Sequence, residues 1–175
     1  MCEFGPAVSN RALSVKQYDL SSLVVLVAEQ NSFLRLTIKS ILRTLKVGQI
    51  IDAGPIKDAW QAFQSYSPDV VIIDWSPTYD GLQLLWRLRH DADSRNVFVP
   101  VIITTSMTEY TNVIVARDSG TTDFLAKPYS PRTIYQHLCK IIEMKKSFIK
   151  SSDFFGPDRR ARKVEPEVKR RRCDA

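Results

Sequence analysis

The chain has 175 residues, 44% hydrophobic and 25% charged, a composition that suits one globular domain with tails and argues against a fibrous or wholly disordered chain. Its net charge of +6 is confined to the C-terminus: residues 1–144 hold 14 basic and 14 acidic side chains, residues 145–175 hold 11 and 5. The longest apolar stretch, residues 23–28, is too short to cross a bilayer, the first ten residues lack a secretion signal, and Cys2, Cys139 and Cys173 are scattered without disulfide or metal-ligand spacing, so a cytoplasmic protein with no membrane association is expected.

Residues 1–21 show no periodicity and are expected to form a flexible arm. Five strand-like runs follow, at 22–28, 49–53, 69–74, 99–104 and 122–126. A helix-like segment comes after each. The first carries Leu34, Ile38, Ile41, Leu42 and Leu45 on one face, with Asn31 or Ser32 as cap. The second opens at Gly54-Pro55 and aligns Ile56, Ala59, Trp60 and Phe63. The third follows Gly81 with Leu84, Leu85 and Leu88. The fourth, about 109–119, has the weakest apolar face. The fifth follows Pro131 with Ile134, Leu138, Ile141 and Ile142.

Five such units predict an α/β fold, a doubly wound parallel sheet of the flavodoxin-like (βα)5 type in the order 2-1-3-4-5. The expected domain spans residues 22–146. Residues 147–175 have few large apolar side chains after Phe155 and are expected to form a flexible basic tail.

In a parallel sheet all carboxyl ends share one edge, where such folds bind ligands. The third strand, Val70 to Ile73, is a continuous apolar run that ends in Asp74, the pattern of a strand buried on both faces. Glu29-Gln30 follow the first strand, Thr105-Ser106 the fourth and Lys127 the fifth. Any one of these alone reads as a cap, a turn or a loop. Together, two carboxylates, a hydroxyl and an ammonium suit a divalent metal and a phosphoryl group. Asp74 is the candidate nucleophile, because carboxylates form acyl phosphates.

With these residues in place, the chain resembles the receiver domain of two-component response regulators. The resemblance runs over about 22–144 and rests on VAEQNSFLR (27–35), VVIIDW (70–75), DGLQLL (80–85), PVIITTS (100–106) and GTTDFLAKPY (120–129). It implies that Asp74 accepts a phosphoryl group from a histidine kinase or phosphotransfer protein. Thr105 and Lys127 would contact that group, Phe124 would be the switch aromatic, and Ser106 would keep the pocket open. The Lys127-Pro128 bond would be cis. Mg²⁺ would be held by Glu29, Gln30, Asp74 and the backbone carbonyl of Ser76. A downstream protein would bind the face made by the fourth helix, fifth strand and fifth helix, a face that also dimerises in many relatives. Such a domain is a signalling acceptor rather than an enzyme, with at most self-phosphorylation from a donor and self-dephosphorylation.

Two departures qualify this. Gln30 stands where an acid is usual, leaving the pocket one negative charge short and its metal affinity weakened. Asp74 and Gly81 are seven positions apart, one fewer than is common in the family. The alternative is a pseudo-receiver, the same fold used as a phosphorylation-independent docking module. A small-molecule flavodoxin-like protein is disfavoured, because Gln30-Asn31-Ser32 is no glycine-rich cradle.

No output domain is recognisable in the tail, so a stand-alone receiver is expected. The tail's basic clusters, 159–163 and 169–172, read as a solvated segment, as an arm for an acidic protein or nucleic acid, or as a dinucleotide-messenger site. Nucleic acid is not favoured, since no aromatic side chains lie among the arginines. Trp75, Tyr79, Tyr129 and Tyr135 fall near the site or on the partner face, with ordinary surface as the other reading. His90 and His137 are not candidates for catalysis.

Overall fold

The computed structural model describes residues 18–143, 148–150 and 155–157. Five parallel strands alternate with five helices: β1 (Val24–Ala28), α1 (Ser32–Thr44), β2 (Gln49–Ala53), α2 (Ile56–Tyr66), β3 (Val70–Asp74), α3 (Gly81–His90), β4 (Val101–Thr105), α4 (Tyr110–Asp118), β5 (Asp123–Ala126) and α5 (Pro131–Glu143). The strand order is β2-β1-β3-β4-β5, as expected. The chain order reverses between β1 and β3, which pair Val25 with Val70 through Ala28 with Ile73.

Alternate residues of each central strand face opposite layers, as the pleat requires. Leu26, Ala28, Val71, Ile73, Val101 and Ile103 pack with Ala59 and Phe63 of α2 and Leu84, Leu85 and Leu88 of α3. Val25, Val27, Val70, Ile72, Ile102 and Leu125 pack with Ile38 and Leu42 of α1 and Ile134, Leu138 and Ile141 of α5. Both faces are covered, which is why these strands are apolar throughout rather than alternating. Among its residues α4 buries only Ala116, consistent with its weak pattern.

The helix starts follow local chemistry. Asn31 is the cap of α1, its side chain accepting from the backbone N–H groups of Phe33 and Leu34. Pro55 precedes α2 as its cap residue rather than lying in the first turn. Gly81 opens α3 because the helix starts hard against β3. A Cβ there would fall 1.9 Å from the Asp74 carbonyl oxygen and 2.7 Å from Ile73 Cγ2.

Ordered chain continues past the expected N-terminal boundary. Leu20 is buried and packs with Tyr18 on the α1–α5 layer. Tyr18 N–H donates to the Tyr135 hydroxyl at 2.9 Å, and the Tyr18 hydroxyl donates to Glu143. Residues 18–21, expected in the arm, therefore belong to the domain, because apolar burial and α5 hold them. Beyond α5, β6 (Phe148–Lys150) pairs antiparallel with β7 (Phe155–Pro157), within the segment expected to be a flexible tail. The remaining arm residues, 1–17, and the basic clusters at 159–163 and 169–172 lie outside the described residues.

A partly buried hydrogen-bonded cluster ties α5 to β5. Asp123 accepts from Lys140 Nζ at 2.7 Å and from His137 Nδ1 at 2.6 Å. A carboxylate only accepts, so Nδ1 carries the hydrogen. Burial alone would raise the Asp123 pKa, but the bonds from His137 and Lys140 outweigh it and hold it below the ordinary value.

Two outcomes are expected. Gly81→Ala should lower stability by about 1–3 kcal/mol, read as a lower urea midpoint with unchanged slope. Asp123 has a depressed folded-state pKa, so its contribution is present above the unfolded carboxylate value of about 4 and is lost as pH falls towards the folded one. Asp123→Asn should therefore lower the melting temperature at pH 7, and the difference from wild type should shrink below about pH 4.

Candidate functional site

The ends of β1, β3 and β5 bring Glu29, Asp74 and Lys127 together, although up to 98 positions separate them in sequence. Lys127 Nζ donates to Asp74 Oδ1 at 2.7 Å and to Glu29 Oε2 at 2.9 Å. Asp74 is 3% exposed and Glu29 2%. Burial would lower the Lys127 pKa, but its hydrogen bonds to both carboxylates outweigh that and raise the value. Each remaining carboxylate oxygen also has a donor. Glu29 Oε1 accepts from the Asn31 backbone N–H at 2.9 Å, and Asp74 Oδ2 accepts from the Ser76 hydroxyl at 3.0 Å.

These groups open on a cavity of about 570 Å³ lined by Glu29, Gln30, Asp74, Ser76, Ser106 and Lys127, with Asn31, Leu34, Thr78 and Tyr79. Six of the expected site residues are thus in one place. Three are not on its lining. Thr105 is fully buried, and its hydroxyl accepts from the Met107 backbone N–H at 2.9 Å. Phe124 is half-buried against the α2–α3 core layer. Pro128 follows a cis bond to Lys127. Thr105 is still joined to the site through its carbonyl, which accepts from the Lys127 backbone N–H at 2.8 Å.

The loop after β3 closes into a tight turn. Ser76 N–H donates to the Tyr79 carbonyl at 3.1 Å, and Tyr79 N–H donates to the Ser76 carbonyl at 3.0 Å. The Ser76 carbonyl is engaged within this turn, while its hydroxyl is the group on Asp74. Tyr79 is buried. Its hydroxyl has no hydrogen-bond partner among the described residues. Burial first, then the Asp74 and Glu29 charges, raise its pKa. Tyr129 is pushed up to about 12, chiefly by burial.

Arg35 is a site residue that sequence reasoning missed. Its Nη1 donates to the Glu29 carbonyl at 2.6 Å and to the Gln30 carbonyl at 3.2 Å. Its Nε pairs with Asp52 of β2 at 3.2 Å, and Lys39 pairs with the other Asp52 oxygen. The Glu29-Gln30 corner is thereby clamped to α1 and β2. The only sequence signal was a basic residue on the first helix and an acid in an otherwise apolar strand.

The model of the response regulator receiver domain matches residues 25–139. The chain belongs to the receiver domain family. The receiver is 29% identical over 116 residues to chemotaxis protein CheY1 of Helicobacter pylori, covering 65% of this chain and 92% of that protein. It is 26% identical over 123 residues to CheY-3 of Vibrio cholerae, covering 70% and 93%. Among solved structures, the receiver domain of Francisella response regulator 1452 aligns with a TM-score of 0.60 at 29% identity, covering 68% of this chain and 95% of that one. A putative response regulator from Chloroflexus aurantiacus shares the fold, with a TM-score of 0.62 at 22% identity, covering 70% and 98%.

Arg35→Met keeps the apolar stem and removes the donors. It is expected to cost about 1–3 kcal/mol of stability. Combined with Asp52→Asn, the loss should be smaller than the sum of the two single losses, because they share one interaction. Urea unfolding of the three variants checks this.

Proposed function

We infer that Asp74 is the phospho-acceptor of this receiver, charged by a histidine kinase or phosphotransfer protein. The observation that carries this reading is the Lys127 ammonium held 2.7 Å from Asp74 Oδ1 beside an open cavity. Asp74 attacks the donor's phosphorus, a P–O bond forms, the donor's P–N bond breaks, and the imidazole leaves. Negative charge at Asp74 rises towards two, and Lys127 lies where it can offset the added charge.

The residues present fit magnesium in kind. Glu29, Asp74 and the Gln30 amide offer only oxygen donors, as that ion prefers. They fall short in charge, and the described residues contain no cluster of three His, Cys, Asp or Glu side chains. When bound, the ion would supply positive charge against the phosphoryl oxygens.

The output runs through Lys127 and Thr105. Their backbone bond couples the site to the ends of β4 and β5, and Phe124 lies next to Ile103 in register. Movement of Thr105 towards a phosphoryl group would repack Phe124 and the α4–β5–α5 face. That face displays Tyr110, 78% exposed, and Val115, 48% exposed, to a downstream protein. The domain taken to act is 22–146, extended N-terminally to Tyr18.

A second reading, a docking module independent of phosphate, rests on Gln30 and on the fact that all four carboxylate oxygens already have donors within the chain. Trp75 adjoins Asp74, and its fluorescence separates the two readings. Adding beryllofluoride or acetyl phosphate with Mg²⁺ is expected to change the emission, with half-saturation in metal at about millimolar concentration. Acid-labile phosphate should appear by intact mass, and Asp74→Asn should abolish both. Gln30→Asp should lower the metal requirement about tenfold, the effect of ~1.4 kcal/mol from one more carboxylate. An unresponsive wild type that forms no acyl phosphate would overturn the acceptor reading in favour of the docking one.

A further inference from the structure

The two oxygens of Asp74 are held by different kinds of donor. Oδ1 faces Lys127, whose ammonium is also tied to Glu29. Oδ2 faces a single neutral hydroxyl, that of Ser76, at 3.0 Å. The hydroxyl expected at the acceptor, that of Thr105, belongs to a fully buried residue off the cavity lining and accepts from the Met107 backbone N–H.

We propose that Ser76 contacts the phosphoryl group through its hydroxyl, holding Oδ2 of resting Asp74 and then donating to the phosphoryl oxygens that form on it. This rests on the reading of Asp74 as acceptor. The placement comes from the short loop. Both backbone polar groups of Ser76 are used by Tyr79, and Pro77 restricts the turn's first inner position. The Ser76 side chain is thereby set on the cavity, within reach of Asp74. Thr78 Oγ1 lies 3.5 Å from Ser76 Oγ, so Thr78 can supply a hydrogen while Ser76 gives its own away. A hydroxyl has one hydrogen and two lone pairs, which allows both.

The chemistry favours transfer at Oδ2. Freeing Oδ1 would break an ion pair shared by three side chains, whereas freeing Oδ2 needs only rotation about one C–O bond. As Oδ2 attacks phosphorus, the P–O bond forms and the donor's bond to phosphorus breaks, with its electron pair leaving on imidazole or acetate. Oδ2 gives up a lone pair. Three phosphoryl oxygens, carrying more negative charge than the carboxylate had, arrive one covalent bond further out. The Ser76 hydrogen passes to a stronger acceptor. The contact therefore favours the phosphorylated state over the resting one.

The full chain is titrated with beryllofluoride in Mg²⁺, with Trp75 emission as readout and circular dichroism as a check on folding. Ser76→Ala is expected to weaken the apparent affinity about tenfold, and Ser76→Thr to restore it to within about twofold. Should Ser76→Ala fail to fold, Ser76→Thr and Ser76→Val, matched in shape and differing in the hydroxyl, carry the same comparison. Equal affinity with and without the hydroxyl overturns the proposal. So does tighter binding without it, which would make Ser76 only a restraint on the resting carboxylate. A wild type with no response, or an Asp74→Asn variant that still responds, overturns the acceptor reading and this proposal with it; a wild-type response that depends on Asp74 but not on Ser76 overturns this proposal alone.

Discussion

The Lys127 ammonium shared by Glu29 and Asp74 is the interaction around which the site is built. Two carboxylates, each at most 3% exposed, are costly to keep ionised side by side unless a cation pairs with both. Lys127 can do this only because β5 ends level with β1 and β3 at the same sheet edge. That level depends on the parallel register, with Asp74 opposite Thr104 and Thr105 opposite Ala126. It also depends on Gly81, which lets α3 begin against the Asp74 carbonyl. The buried sheet thus does more than stabilise the domain: it determines where three charges meet.

Around that ion pair the chain substitutes neutral and backbone donors for charge. Glu29, Asp74 and Lys127 sum to one negative charge, and Gln30 adds none. Arg35 reaches the corner after β1 from the α1 side and donates to the Glu29 and Gln30 carbonyls, while Asn31 N–H and the Ser76 hydroxyl complete the carboxylates. A site satisfied in this way is stable at rest. Its response to a phosphoryl group then depends on which of these bonds yields most readily, and hydroxyls reorient more easily than ion pairs.

Much of the fold was legible because it rests on repeated local patterns. The apolar runs of β1, β3 and β4 mark strands buried on both sides, and periodic Leu and Ile mark α1, α3 and α5. The cluster of Asp74, Glu29 and Lys127 was legible through topology, since all strand ends of a parallel sheet share an edge. Less legible were the details that depend on loop geometry. The role of Arg35 needs α1 and β2 placed side by side. The turn at Ser76–Tyr79 uses the very carbonyl expected to face a metal and points a hydroxyl at Asp74 instead. Leu20 and Tyr18 looked like arm residues because two apolar side chains make no period, and only α5 shows what they cover.

By itself, the sequence determined the five βα units and the identity of the acid that ends the third strand, because hydrophobic periodicity and strand-end chemistry are local properties of the chain; the order of the sheet followed from the fold class those units imply. Only the tertiary structure decided how each oxygen of Asp74 is held, that Thr105 is buried off the cavity lining, and that Arg35 clamps the corner beside Glu29. The physical reason is that hydrogen bonds are directional and act within about 3 Å. Residues far apart in sequence meet that requirement only after the sheet register and the short turn have placed them.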